Sequence, residues 1–238
     1  FTGERMIVGK SGNEIELEHL HRYVIVKEIA KNKSVLDIAC GTGYGSNILG
    51  SVAKSVVGVD ISNESVSFAK KNYQKDNIKF IQGSASSIPL AESSVDVVFS
   101  FETIEHHDQH NEMLEEIIRV LKNDGMLIIS SPDKKEYSDK RPNYTNKFHV
   151  KELYKEDLHA LLNEYFDKVI MYGQRSCNGS FIGLDEDGIN LGFQGFYGDY
   201  PNINSTSKIP FPALYNIFIA SNSELKFLPP SFYVNEEL

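Results

Sequence analysis

From residue 34 to residue 131 the chain alternates short β-branched runs with helical patterns, and no other feature limits its fold so strongly. Such alternation specifies a parallel α/β sheet, because each strand must cross through a helix to reach a parallel neighbour. The runs are Ser34 to Ala39, Ser55 to Asp60, Ile78 to Gln82, Val95 to Phe101 and Gly125 to Ser131. Most are near-continuously apolar, as strands covered on both faces must be. Between them Val66, Ala69 and Tyr73 mark one helix face, and Leu114, Ile117, Ile118 and Leu121 mark another at i, i+3, i+4, i+7. Asn123-Asp124-Gly125 is expected to end that second helix with turn chemistry.

On the N-terminal side, Glu14 to Ala30 reads as a helix with Leu20, Tyr23 and Val24 on one face. After the fifth run, the polar stretch Asp133 to Lys147, with Pro142 and mixed charges, reads as a solvated loop. A helix is expected at about Val150 to Asn163, a strand at Asp167 to Gly173 and a last core strand at Leu214 to Ser221. The 40 residues from Gln174 to Ala213 are rich in Gly, Asn and Asp and lack periodicity, which marks a functional lid or a disordered loop. Their aromatics, Phe181, Phe193, Phe196, Tyr197, Tyr200 and Phe211, exceed what a freely solvated loop holds. Packing on the sheet and stacking over a ligand both account for such rings.

A net charge of −9, from 24 basic and 33 acidic residues, repels a polyanion unless cations cluster. No such cluster stands out, so nucleic acid is not an expected partner. The acidic tail Asn235 to Leu238 reads as solvated. Cys40 and Cys177 have neither CxxC nor zinc spacing, which excludes a disulfide framework and makes a reducing cytoplasm the expected compartment. No apolar run approaches the roughly 20 residues that span a bilayer, and no signal-peptide pattern opens the chain, so neither a membrane span nor secretory entry is expected. The sequence starts at Phe1 rather than Met, so residues can precede it.

The strongest local signal is Val35-Leu36-Asp37-Ile38-Ala39-Cys40-Gly41-Thr42-Gly43-Tyr44-Gly45, a strand running into a glycine turn and a helix. The dinucleotide fingerprint G-x-G-x-x-G fails, because Ser46 stands where its third glycine belongs. Asp37 is instead a poor neighbour for pyrophosphate and a good acceptor for an ammonium group. Asp60, at the end of the second run, is placed to grip ribose hydroxyls. A ligand with adenosine, an amine and no phosphate satisfies both acids.

Over about residues 33 to 132 the sequence resembles class I S-adenosylmethionine-dependent methyltransferases. The resemblance implies S-adenosyl-L-methionine as cofactor, with Asp37, Gly41 and Gly43 flanking its methionine moiety, Asp60 on the ribose and Ile61 against adenine. Ala39, Tyr44, Gly83, Ser84, Ala85 and Phe101 complete the implied site, although Ser84 stands where the family often has an acid near the adenine amine. Arg22 is a candidate for the cofactor carboxylate, with a solvent-facing role as its alternative. The expected fold is α/β and Rossmann-like: a mostly parallel seven-stranded sheet with helices on both faces and an antiparallel last strand. One methyltransferase domain is expected over 1–238, with a helical cap at 1–32, a cofactor-binding core at 33–132 and an insertion or lid at 174–213.

After the fourth run comes Phe101-Glu102-Thr103-Ile104-Glu105-His106-His107. In an open α/β sheet ligands sit at the carboxyl ends of strands. Glu102, Glu105 and His106 stand at i, i+3, i+4, so a helical turn would aim all three at one cation. This E-x-x-E-H pattern resembles that of the small-RNA 2′-O-methyltransferases and the ubiquinone-pathway O-methyltransferases, which implies a divalent ion on Glu102, Glu105, His106 and, beyond the fifth run, His149. Mn²⁺ and Mg²⁺ are the ions to test first, and a coordinated ion would stabilise an alkoxide. The E-H pair also recurs without metal; His106 or His107 is then the candidate base, since imidazole titrates near neutrality. His107 and His110 otherwise read as exposed.

Phe1-Thr2-Gly3-Glu4-Arg5, His19-Leu20-His21-Arg22-Tyr23 and Gly173-Gln174 also resemble methyltransferases from bacterial surface-polysaccharide clusters. The implied acceptor is a hydroxyl of a sugar, nucleotide-linked or part of a glycan. A phosphate-bearing acceptor would need basic partners such as Arg5, Lys140, Arg141 or Arg175. An amino sugar, or a phenolic or quinone ring, is the alternative acceptor, and a non-catalytic S-adenosylmethionine-binding module is a second alternative. A homodimer is admitted.

Overall fold

The computed structural model describes residue 6 and residues 13–141, 143–176, 180–186, 192–193, 195–197, 204–209 and 211–234. The expected Phe1–Arg5 motif, Cys177, Tyr200 and the acidic tail lie outside these residues, as do the side chains of Phe196 and Tyr197.

Five strands follow the expected runs closely: β1 (Ser34–Ile38), β2 (Ser55–Asp60), β3 (Ile78–Gln82), β4 (Val95–Phe101) and β5 (Leu121–Pro132). Helices α1 (Asn13–Val26), α2 (Tyr44–Leu49), α3 (Asn63–Asn72), α4 (His110–Val120) and α5 (Lys155–Asn163) join or flank them. Strands β6 (Lys168–Ser176), β7 (Ser180–Leu184), β10 (Tyr215–Ser221) and β11 (Ser231–Tyr233) complete a sheet of order β11-β7-β6-β10-β5-β4-β1-β2-β3. Strands β1 to β5 pair in parallel, and β10 runs antiparallel to both β5 and β6. The expected Rossmann-like sheet is thus present, widened from seven strands to nine by β7 and β11.

Strand alternation divides the core by face. Val35, Val97, Phe99, Ile128 and Ile217 pack with Tyr23 and Val26 of α1 and Leu49 of α2. Leu36, Val98, Leu127 and Phe218, on the opposite face, pack with Leu114 and Ile117 of α4 and Leu158 and Leu162 of α5. Each helix therefore buries one stripe against a sheet already apolar on both sides. Helix α3 starts where Ser62 Oγ accepts from the Ser65 N–H at 3.3 Å, and Lys70 and Lys71 lie in its last turn, favourable to the helix dipole.

Several local expectations change. Helix α1 ends four residues earlier than Ala30, and Val24 faces solvent while Glu18, His21 and Arg22 are buried beside Tyr23. Helix α4 stops at Val120; Asn123-Asp124-Gly125 forms a bulge inside β5, where Val95 pairs with Leu121 but Val97 with Met126. Helix α5 begins at Lys155 rather than near Val150, and the loop after β5 contains a π-helical turn, Lys135–Asp139.

The insertion also carries structure: β6 continues to Ser176, β7 pairs back on it, and a hairpin joins β8 (Gly195–Tyr197) to β9 (Asn204–Thr206). Phe181 packs against Phe193 at 5.2 Å and Phe211 at 5.8 Å, so these three rings cluster with one another. Ile209 returns across Gly173 of β6 and Gly183 of β7; an added Cβ would meet Ile209 at 2.3 Å and 2.7 Å respectively.

Candidate active site

The turn between β1 and α2 lies at the carboxyl edge of the sheet. Ala39, Gly41 and Gly43 have positive φ of 54°, 53° and 86°, so the backbone reverses there through left-handed conformations. A Cβ on Gly43 would come within 2.7 Å of Ala69 Cβ, whereas one on Gly41 would meet nothing within 4 Å. Gly43 therefore serves packing under α3, and Gly41 is the residue whose backbone faces open space. Asp60 ties the loop to β2: Oδ2 accepts from the Gly41 N–H at 2.9 Å and Oδ1 from the Ser62 N–H at 2.8 Å. Next to it Ile61 is 69% exposed. Gly83 donates to the Asp60 carbonyl at 3.0 Å, and Ser84 Oγ lies 3.0 Å from Ser86 Oγ, with Ala85 half-buried alongside.

Asp37 lies in β1, just before the glycine turn. Its carboxylate is wholly buried and accepts from Tyr23 Oη at 2.9 Å and Ser46 Oγ at 2.5 Å, joining β1 to α1 and α2. Burial pushes its carboxyl up to about 6 despite those bonds. Tyr44 Oη meets His19 Nδ1 at 2.9 Å, and Phe101 packs edge-on to Tyr23 at 5.0 Å. Asp37, Tyr44 and Phe101 are thus buried residues packed with α1 beside the glycine loop.

Arg22 is buried, 1% exposed, which overturns the solvent-facing alternative. Its Nε donates to Gln174 Oε1 at 2.7 Å, Nη1 lies 3.4 Å from Glu102 Oε1, and the guanidinium sits 4.5 Å from the centre of the Tyr215 ring. Burial works against its charge, but Glu102, Tyr215 and Glu18 outweigh that and hold its pKa above the ordinary arginine value. Nη1 and Nη2 nevertheless make no hydrogen bond. Buried donors of a charged group without acceptors are costly and mark a place where an acceptor binds. Gln174, which also donates to the Glu18 carbonyl at 2.9 Å and to Ser180 Oγ at 2.8 Å, fixes the fork. Sequence reading missed Glu18 and Tyr215 as partners of this group. The signal was available in α1, where Glu18, His21 and Arg22 recur at i, i+3, i+4 as a polar stripe beside apolar Leu17 and Tyr23.

After β4 the expected helical turn is only a three-residue 3₁₀ turn, Ile104–His106. Glu102 precedes it with φ of 51°, so its side chain leaves the series and accepts from Ser130 Oγ at 2.6 Å beside Arg22. It does not join Glu105 and His106, a correction to the expected four-ligand set. Glu105, His106 and His149 do converge, each offering a ligand atom within 4.8 Å of the others. The carbonyl of Glu105 accepts from the Val150 N–H at 2.8 Å and the Lys151 N–H at 3.1 Å, which draws the 146–151 segment onto the turn. His106 Nδ1 lies 3.0 Å from the Phe148 carbonyl and His149 Nδ1 2.5 Å from Glu152 Oε1. Both partners are acceptors, so each ring is oriented through Nδ1 with its Nε2 edge turned to the other members of the cluster.

His107 is not brought to this group. Its Nε2 lies 3.3 Å from Met113 Sδ, and its ring packs on His110, whose own Nε2 meets the His107 carbonyl at 2.8 Å. Burial lowers the pKa of both rings. His110 is buried, not exposed. Arg175 donates to the Pro212 carbonyl at 3.1 Å.

Comparison with known proteins agrees with this architecture. Residues 36–129 match the family described as Methyltransferase domain. A protein of Mycobacterium tuberculosis named "Probable S-adenosylmethionine-dependent methyltransferase" is 33% identical over 165 residues, covering 68% of this chain and 58% of the relative. The fatty-acid O-methyltransferase of Mycolicibacterium smegmatis is 25% identical over 138 residues, covering 54% of this chain and 47% of the relative. The chain thus spans less than two thirds of either relative. A crystal structure of an S-adenosylmethionine-dependent methyltransferase from Thermotoga maritima superposes with a TM-score of 0.62 at 19% identity, covering 87% of this chain and 90% of that one. Among the described residues no helix is long and apolar enough to cross a membrane. Residues 36–129 are therefore a methyltransferase domain, set in the Rossmann-like α/β fold of the class I S-adenosylmethionine-dependent methyltransferases.

Proposed function

We propose that the protein transfers the methyl group of S-adenosylmethionine to a hydroxyl of a sugar. The observation that carries this reading is the convergence of Glu105, His106 and His149 just beyond β4, at the sheet edge that also holds the glycine loop. The cofactor fits the residues present. Gly41 opens to free space, Ile61 offers an exposed apolar surface for adenine, Asp60 retains lone pairs for ribose hydroxyls, and Nη1 and Nη2 of Arg22, which make no hydrogen bond, would receive the carboxylate. When bound, S-adenosylmethionine supplies an electrophilic methyl carbon on a positively charged sulfur. His106, oriented by the contact of its Nδ1 with the Phe148 carbonyl, is the group assigned to take the proton of the attacking hydroxyl. His149, held by Glu152, sets the other side of the acceptor, and the fixed rings limit reorientation at the moment of reaction.

The same three donors fit a divalent ion, Mn²⁺ or Mg²⁺, because they combine one carboxylate with two imidazoles whose second nitrogens are held by acceptors. Such an ion would supply Lewis-acid stabilisation of an alkoxide. A lipid-borne oxygen is the second reading for the acceptor, favoured by exposed Phe148 and Val150 on either side of His149 and by the fatty-acid O-methyltransferase relative.

Mass spectrometry of a panel of nucleotide sugars, free sugars and fatty acids, incubated with the protein and S-adenosylmethionine, tests these readings. Each reaction is run with Mn²⁺, with Mg²⁺ and with chelator. Gain of one methyl by a sugar supports the proposal, and gain by fatty acids alone moves it to the second reading. No transfer to any member despite measurable cofactor binding would leave a binding module instead.

A further inference from the structure

The loop after β5 contains a surface that the methyl-transfer reading does not use. Arg141 and Lys147 are exposed, and among the described residues neither has a carboxylate partner. The neighbouring acids are engaged elsewhere: Glu136 with Lys140, Asp139 with Tyr154 and Glu152 with His149. Instead of acids, the two cations lie against rings. The Arg141 guanidinium lies 5.2 Å from the centre of the Tyr137 ring and 5.4 Å from that of Tyr144, and Lys147 Nζ is 4.9 Å from the Phe148 ring.

Those rings lead directly to the histidines. Tyr137, in the π-helical turn, stacks on His149 at 5.4 Å, and Phe148 supplies the carbonyl that holds His106. Stacking on aromatic faces fixes where a cation sits without neutralising it. In a chain of net charge −9, which repels anions in general, two oriented and unneutralised cations beside the reacting cluster are a local exception.

We infer that Arg141 and Lys147 form an anion subsite for a phosphate or diphosphate group that the acceptor carries near its accepting hydroxyl. This rests on the methyl-transfer reading and narrows it: the preferred acceptor is a phosphate-linked one, and the free sugar binds poorly. The same phosphate chemistry is found in a soluble nucleotide-linked sugar and in a lipid-linked one.

The test uses the full chain and inorganic pyrophosphate as probe, by calorimetry at physiological salt. The R141Q/K147Q variant is compared with K70Q/K71Q, an equal loss of charge on α3. Saturable binding by the wild type, weakened about tenfold in R141Q/K147Q and changed less than about twofold in K70Q/K71Q, is the expected result. No saturable binding by the wild type, or equal loss in both variants, overturns the subsite. Competition by uridine diphosphate assigns a soluble acceptor, and competition only by phosphatidic acid vesicles assigns a lipid-linked one; competition by neither also overturns it. Pyrophosphate binding is read without turnover and S-adenosylmethionine affinity is measured in parallel. Loss of the subsite is thereby separable from failure of the methyltransferase reading, which would appear as absent cofactor binding.

Discussion

Arg22 Nε donates to Gln174 Oε1 at 2.7 Å across 152 residues of sequence, and this bond holds the guanidinium fork with Nη1 ion-paired to Glu102 at 3.4 Å and neither Nη hydrogen-bonded. Replacing Arg22 by Lys keeps the charge but removes the fork. Cofactor affinity is expected to fall by about tenfold with little change in turnover at saturation, because a planar bidentate contact is lost. Titration calorimetry with S-adenosylmethionine checks this, and unchanged affinity would remove Arg22 from the cofactor site.

The histidine cluster predicts a different separation of effects. His106→Ala or Glu105→Gln should lower methyl transfer by about 10²- to 10⁴-fold, the usual worth of a positioned acid or base, while cofactor binding stays near wild type. His107→Ala, whose ring faces Met113, should leave the rate within about threefold. If an ion is bound, chelation reproduces the His106→Ala loss in the wild type and adds nothing in the variant.

Asp37 gives stability a pH dependence of definite sign. Its folded pKa is raised from 3.8 to about 6, so its contribution is full below pH 3.8 and is lost as pH rises through about 6. Relative to Asp37→Asn, which cannot ionise, the wild type should lose up to about 3 kcal/mol between pH 4 and pH 7. Urea unfolding of both proteins across that range would show the difference, and parallel curves would refute it.

His21 acts in the opposite direction. Burial, and then Arg22, lowers its pKa from 6.5 to about 4, while its ring bridges Ser180 of β7 and Ser231 of β11 at 3.0 Å and 2.8 Å. The neutral ring's contribution is full above pH 6.5 and is lost as pH falls through about 4. Hydrogen exchange should therefore show β7 and β11 opening on acidification in the wild type, with a smaller change in His21→Gln.

Gly183→Val tests the seat of Ile209. A branched side chain there would collide with Ile209 and Phe181, and overpacking of this kind costs about 1 to 3 kcal/mol. Faster limited proteolysis between β7 and β10, at unchanged far-ultraviolet circular dichroism, is the expected signature.

Most of the sheet was legible because strands covered on both faces are written as apolar runs, and β1 to β5 fall close to where those runs lie. Strands β7 and β11 were not, since strands of five and three residues carry too little periodicity to stand out. At the site, spacing brought Glu105 and His106 together but misdirected Glu102: i, i+3 neighbours share a face only on a continuing helix, and a left-handed residue ahead of a single 3₁₀ turn breaks that rule. The partners of Asp37 were not legible, because spacing does not reveal that Tyr23 and Ser46 each donate to its carboxylate. The solvated-loop reading of Asp133 to Lys147 counted its charges but could not see which acids were engaged and which cations were not.

The backward turn at Glu102 has a practical consequence. One carboxylate, Glu102, goes to Arg22, and the other, Glu105, three residues on, stays with the histidines, so this short stretch of backbone supplies two different charged groups of the sheet edge. On the methyl-transfer reading proposed above, substitutions along 134–154 are expected to change which acceptor is methylated while affinity for S-adenosylmethionine stays near wild type.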